Sequence, residues 1–116
     1  NVTAPYKEQA LALADDTSDT ARQAGSANLL IFENGRVRAE STDGEGLMAA
    51  LAEQAPGLFV ADRPVVVLGA GGAARAAAAS LRHAGADVSV LNRTVERAQV
   101  LAEELRVRVG DATDLR

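Results

Sequence analysis

The stretch Val65-Val66-Val67-Leu68-Gly69-Ala70-Gly71-Gly72-Ala73-Ala74 constrains this chain more than any other. A short apolar run, rich in β-branched residues and stopped by glycine, reads as a buried parallel strand. Glycine at 69 lets the backbone turn at once. Beyond it, an alanine-dominated series from Gly72 to His83 predicts a helix whose inner face is Ala74, Ala77, Ala78 and Leu81. Side chains this small imply close packing against a sheet. Gly85 stands where the helix closes, and Val88, Val90 and Leu91 supply a second strand. Thr94 is placed to cap a further helix with Ala98, Leu101, Ala102 and Leu105 facing inward, and Val107 and Val109 begin a third strand.

Strand, glycine-rich turn, helix and strand in this order are the parts of a dinucleotide-binding unit. Gly69 permits the tight turn, Gly71 lets backbone approach a pyrophosphate, and Ala74 permits close helix packing. Free amides at the start of the helix, with its dipole, favour phosphate charge. The candidate phosphate-facing residues are therefore Gly69, Ala70, Gly71, Gly72 and Ala73. The competing reading is a tight turn with a structural role only.

The end of the second strand bears on which dinucleotide. An NAD site commonly carries an acidic residue there to hold the ribose hydroxyls. This chain has Asn92, Arg93 and Thr94 instead. The planar cationic donor array of Arg93 suits the 2′-phosphate of NADP, and Asn92 and Thr94 offer hydrogen bonds without repelling it. The alternative is a solvated arginine near a helix start, where a cation gains nothing from the dipole.

With 116 residues the chain can hold one domain of modest core. It starts at Asn1 rather than methionine and stops soon after a helical pattern, so it reads as an excerpt of something longer. Residues 1–60 carry four basic and nine acidic side chains, and residues 61–116 carry eight and seven. That split suggests two regions, and neither has the basic stripe of a nucleic-acid surface. No apolar run is long enough for a membrane span and none resembles a signal peptide. The absence of cysteine fits a cytoplasmic protein, and no metal is expected.

The first region predicts short helices at Glu8 to Ala14 and Ser18 to Ala24, the second with a serine cap. Leu29 to Glu33 and Arg36 to Glu40 read as paired strands joined by Asn34-Gly35, a type I′ turn signal. Leu47, Met48, Leu51 and Ala52 share one face of a helix after Asp43-Gly44, and Gly57 to Pro64 reads as the boundary loop. Lys7 is the only lysine. Asp43, after a strand and before Gly44, suggests a carboxylate exposed at a sharp turn. With Asn1, Thr3 and Asn28 these groups could converge on a polyhydroxylated substrate, Lys7 and Asp43 forming a proton-transfer pair. The competing reading is an exposed lysine and a helix-capping aspartate. His83, near a helix end, fits a dipole or surface role.

Taken together and in order, these pieces closely resemble the shikimate dehydrogenase family. Asn1-Val2-Thr3-Ala4-Pro5-Tyr6-Lys7 resembles its Asn-Val-Thr-x-Pro-x-Lys signature, and Gly25-Ser26-Ala27-Asn28 resembles a second substrate-side segment. Ser41-Thr42-Asp43-Gly44 resembles its Asn-Thr-Asp-Gly segment. Gly69 to Arg75 and Asn92-Arg93-Thr94 resemble its cofactor signatures. The resemblance implies an α/β chain: part of a substrate-binding domain over residues 1–44, a connecting helix and linker over 45–60, and the first half of an NADP-binding Rossmann domain over 61–116. It implies that Lys7 and Asp43 are catalytic, that Asn1, Thr3 and Asn28 contact substrate, and that NADPH reversibly reduces 3-dehydroshikimate to shikimate in aromatic amino-acid biosynthesis. It also implies further segments at both ends, without which the 116-residue chain is not expected to be active. Its exposed sheet edge would invite self-association.

The chain departs from that pattern at Leu29, where a threonine is usual, at Ser26-Ala27, and at Ser41, where an asparagine is usual. These changes remove or shorten polar groups and are expected to reshape substrate preference. A quinate-using relative, or an inactive nucleotide-binding or regulatory domain, are the alternatives left open.

Overall fold

The computed structural model describes residues 1–115. Its elements run α1 (Lys7–Leu13), β1 (Asp16–Thr17), α2 (Asp19–Ala24), β2 (Leu29–Glu33), β3 (Arg36–Glu40), α3 (Asp43–Gln54), β4 (Pro64–Leu68), α4 (Gly72–His83), β5 (Asp87–Leu91), α5 (Val95–Leu105) and β6 (Arg108–Val109), then a 3₁₀ turn. They form two three-stranded sheets, β1-β3-β2 and β4-β5-β6, with α3 running between them.

The first sheet grows from a local signal. Asn34 and Gly35 both take positive φ, 50° and 73°, so β2 folds straight back on β3 with Ile31 opposite Arg38. β1 then pairs parallel with β3 through Asp16 and Thr17. Two residues carry no periodicity, which is why this strand was not legible in the sequence. Ser18 caps α2 as expected, its Oγ accepting from the Ala21 N–H at 3.1 Å. Under this sheet lies a core of Ala10, Ala21, Ala27 and Ala39, joined by the partly buried Val2, Leu11, Ala14 and Leu30.

The second sheet is parallel throughout, Val65 opposite Val88 and Val90 opposite Val109. α4 and α5 cover it, each crossover linking neighbouring parallel strands as a βαβ unit requires. Leu81, Leu101 and Leu105 are the largest side chains in its buried core, each worth roughly 1.5–3 kcal/mol on burial. Leu47, Met48 and Leu51 of α3 pack on this same core.

Four details differ from the sequence expectations. β4 is half-buried, not buried, and Leu68 is 67% exposed, because only β5 flanks it among the described residues. The buried face of α4 is Ala76, Ala78 and Leu81, with Ala74 and Ala77 only half-buried. α4 meets α2 and α3 as well as the sheet, so its inward surface is wider than one stripe. Ala52 of α3 is exposed. Thr94 occupies the N-cap position of α5 but its side chain makes no capping bond.

Candidate functional site

The segment from Asn1 to Lys7, which turns with Tyr6 N–H bonded to Thr3 O at 3.0 Å, is held beside residues 27 and 28 by two backbone bonds, Val2 N–H to Asn28 O at 2.8 Å and Ala27 N–H to Lys7 O at 2.9 Å. Lys7 opens α1 and Asp43 opens α3, and both side chains are about 30% exposed. Lys7 Nζ donates to Asp43 Oδ2 at 2.7 Å. Thus Asp43 is not at a sharp turn: it lies in the first turn of a helix, where its negative charge is favoured. Neither is it the cap, because the N-cap residue is Thr42. A partly desolvated ammonium and carboxylate in contact can hold a proton and pass it to a group placed against them.

Asn28 sits directly beside this pair. Its Nδ2 donates to Thr42 Oγ1 at 2.7 Å, and its Oδ1 accepts from the Thr42 N–H at 2.8 Å. The carboxamide is thereby fixed, with its second Nδ2 proton left for a ligand. Asn1 and Thr3 are exposed on the segment leading to Lys7, and their side chains make no hydrogen bond to other described residues. The structure therefore brings Lys7, Asp43 and Asn28 together and leaves Asn1 and Thr3 on the adjoining surface.

Three of the departures noted in the sequence do not face a cleft. Ser26, Ala27 and Ser41 are buried at 2%, 0% and 5% exposure. Ser26 packs toward Gly72, where an added Cβ would lie 3.7 Å from its Oγ. Their small side chains are taken up in packing, and only Leu29 is half-exposed.

On the second sheet, Gly69 takes φ 120° and its N–H bonds Leu91 O at 2.8 Å. An added Cβ there would meet the Ala74 methyl at 3.6 Å, the close helix packing anticipated for that position. Gly71 is the N-cap of α4, and nothing lies within 4 Å of where its Cβ would be. The backbone of Gly71 is therefore open to a ligand, and no side chain caps the amides at the start of α4. Gly72 begins that helix, and Ala70 and Ala73 flank the same turn. Across from it, Asn92 Nδ2 donates to Thr94 O at 2.9 Å, shaping the loop after β5. Arg93 and Thr94 are exposed, and the Arg93 guanidinium has no hydrogen bond or ion pair among the described residues. Open backbone on one side and a free guanidinium on the other fit a dinucleotide bearing an extra phosphate.

Arg97 was missed in the sequence. With Ala70, Arg75 and Val100 it lines a hollow of about 300 Å³ beside the glycine-rich turn. The signal was a second arginine four residues after Arg93, in the first turn of α5. Arg75, which the resemblance puts in a cofactor signature, has its head engaged within the protein: Nε donates to Gln23 O at 3.0 Å and the guanidinium pairs with Glu104. His83 is an exposed residue at the end of α4. Among the described residues no His, Asp and Glu cluster could hold a metal, and no helix is long and apolar enough to cross a membrane.

Residues 50–116, more than half of the chain, match the family described as Shikimate / quinate 5-dehydrogenase. A shikimate dehydrogenase (NADP(+)) of Caulobacter vibrioides is 60% identical over 111 residues, covering 94% of this chain and 39% of that protein. The crystal structure of shikimate dehydrogenase from Aquifex aeolicus superposes with a TM-score of 0.89 at 38% identity, over 99% of this chain and 42% of that one. The Thermus thermophilus shikimate 5-dehydrogenase in complex with NADP(H) and shikimate superposes with a TM-score of 0.83 at 43% identity, over 96% and 41%. The chain thus spans about two fifths of the length of these relatives. By sequence and by fold, it belongs to the shikimate / quinate 5-dehydrogenase family.

Proposed function

We propose that this chain is the central part of an NADP-dependent shikimate dehydrogenase that reversibly reduces 3-dehydroshikimate to shikimate. The observation that carries the proposal is the Lys7–Asp43 contact at 2.7 Å, formed between residues 36 positions apart. Residues 1–44 supply substrate groups, 45–60 connect, and 61–116 hold the adenosine and pyrophosphate half of the cofactor.

Bound NADPH supplies the hydride to the carbonyl carbon. The Lys7 ammonium donates a proton to the carbonyl oxygen as it becomes an alkoxide, and Asp43 holds the ammonium in place. In the reverse direction the coupled pair takes the alcohol proton. Asn28, fixed by Thr42, donates its remaining N–H to a substrate hydroxyl, and Asn1 and Thr3 contact the other end of the substrate. The Gly69–Ala73 turn would hold the pyrophosphate, while Arg93, with Asn92 and Thr94, would hold the 2′-phosphate.

The half-exposed Leu29, where a threonine is usual, favours a second reading in which quinate is also oxidised. Both readings meet one experiment. A full-length protein carrying this segment is assayed in parallel with shikimate and quinate and with NADP and NAD. Shikimate with NADP is expected to give the highest kcat/KM; a preference for quinate or NAD overturns the assignment.

A further inference from the structure

Two glycines that flank the candidate substrate groups in sequence face α4 rather than the cleft. A Cβ added at Gly44 would lie 2.0 Å from Ser80 Oγ and 3.1 Å from both Ser80 Cβ and Ala76 O. One added at Gly25 would lie 2.8 Å from Arg75 Nε and 3.0 Å from Arg75 Cδ. Gly25 has a local reason to be glycine, since it closes α2 with φ 64°. Gly44 has none. It is the second residue of α3 rather than a cap, and its φ is not positive. Gly46, on the same helix, has nothing within 4 Å of its Cβ position. The bareness at 44 therefore answers to α4, and the obstacle includes backbone carbonyl as well as a hydroxyl that can rotate.

This contact lies between the two halves of the candidate site. Asp43 precedes Gly44 in the first turn of α3, so the α3–α4 spacing at Gly44 places the Asp43 carboxylate, and Lys7 with it. Ser80 lies on the same helix as the glycine-rich turn, roughly 12 Å along the axis from Gly72. Arg75 adds a second tie from α4, to Gln23 O near the C-terminus of α2 and to Glu104 on α5. We propose that Gly44 is a positioning residue: its bare backbone against Ser80 and Ala76 sets the distance of the Lys7–Asp43 pair from a cofactor bound at Gly69–Ala73. This rests on the dehydrogenase reading above.

The test uses a full-length protein carrying this segment. Gly44→Ala is expected to lower kcat about tenfold, and Gly44→Val further, while NADP affinity stays within about twofold, since a misplacement of order 1 Å is costly to transfer but not to cofactor binding. Adding Ser80→Gly to Gly44→Ala should restore most of kcat, and Gly46→Ala should leave it unchanged. A crystal structure of Gly44→Ala should show the Asp43 carboxylate displaced relative to Gly71. Unchanged kcat in Gly44→Val, equal damage from Gly46→Ala, or an undisplaced Asp43 overturns the proposal. If the parent protein turns over no shikimate, the functional reading fails on its own, and the position of Asp43 in the variant still decides whether Gly44 sets it.

Discussion

Asn28 and Thr42 clasp one another by two hydrogen bonds, 2.7 Å from Nδ2 to Oγ1 and 2.8 Å from the Thr42 N–H to Oδ1. The clasp joins the entrance of β2 to the entrance of α3, so the Asn28 carboxamide is tied to the residue that precedes Asp43. Thr42→Val keeps the side-chain shape and removes one of the two bonds, worth about 0.5–1.5 kcal/mol. In a full-length protein the KM for shikimate should rise several-fold, with kcat little changed, by steady-state kinetics. A large fall in kcat with KM unaltered would show that Thr42 acts on the proton pair instead.

Removal of either member of the Lys7–Asp43 pair should act on turnover. Lys7→Ala and Asp43→Asn are each expected to reduce kcat by roughly 10²- to 10⁴-fold. NADPH binding, followed by fluorescence, should stay within about twofold. The double variant should lose little more than the worse single one, as expected of residues working as a unit. Near-normal turnover of Lys7→Ala at saturating substrate rejects the pair.

Cofactor choice is expected to rest on Arg93, whose guanidinium has no protein partner among the described residues. Arg93→Ala should reduce the NADP-to-NAD affinity ratio by roughly 10- to 100-fold, the range for a charge-assisted contact to phosphate. Arg97→Ala should have a smaller effect in the same direction. Titration calorimetry with both cofactors checks this, and an unchanged ratio in Arg93→Ala removes the assignment.

A pH effect is expected at β1. Arg36 donates to Asp16 through Nε at 3.0 Å and Nη2 at 2.9 Å. This bidentate bond, with the Arg36 charge, holds the Asp16 carboxyl below its ordinary value of 3.8. A carboxyl depressed in the folded state contributes stability that is present above its unfolded pKa and lost as pH falls through the folded one. The contribution is therefore constant near neutrality and disappears only in acid. Carbon-detected NMR should find Asp16 titrating low, and Arg36→Ala should return it toward 3.8; no change on that substitution would mean Arg36 is not the cause.

Much of this protein could be read before it was seen folded. β-Branched runs, helical spacing and Asn34-Gly35 depend on neighbours in the chain, and they located nearly every element of five residues or more. Lys7 was conspicuous as a lone lysine, and Gly69 to Ala74 as a turn with its context. What escaped reading depended on distant neighbours. β1 exists because β3 offers an edge to Asp16 and Thr17. Ala76 is buried more deeply than Ala74 or Ala77 because α2 and α3 add further walls around α4. Arg75 is tied to Gln23 O and Glu104, partners no sequence window contains.

The sequence by itself determined the order of elements, the glycine-rich turn and the chemical types available, since these follow from local backbone preference and periodicity. Only the tertiary structure decided that Lys7 meets Asp43, that Ser26 and Ser41 are buried, and that a methyl group at Gly44 would run into Ser80 and Ala76 O. Each of those is a distance between segments far apart in the chain, and such distances are fixed by how helices and sheets close against one another.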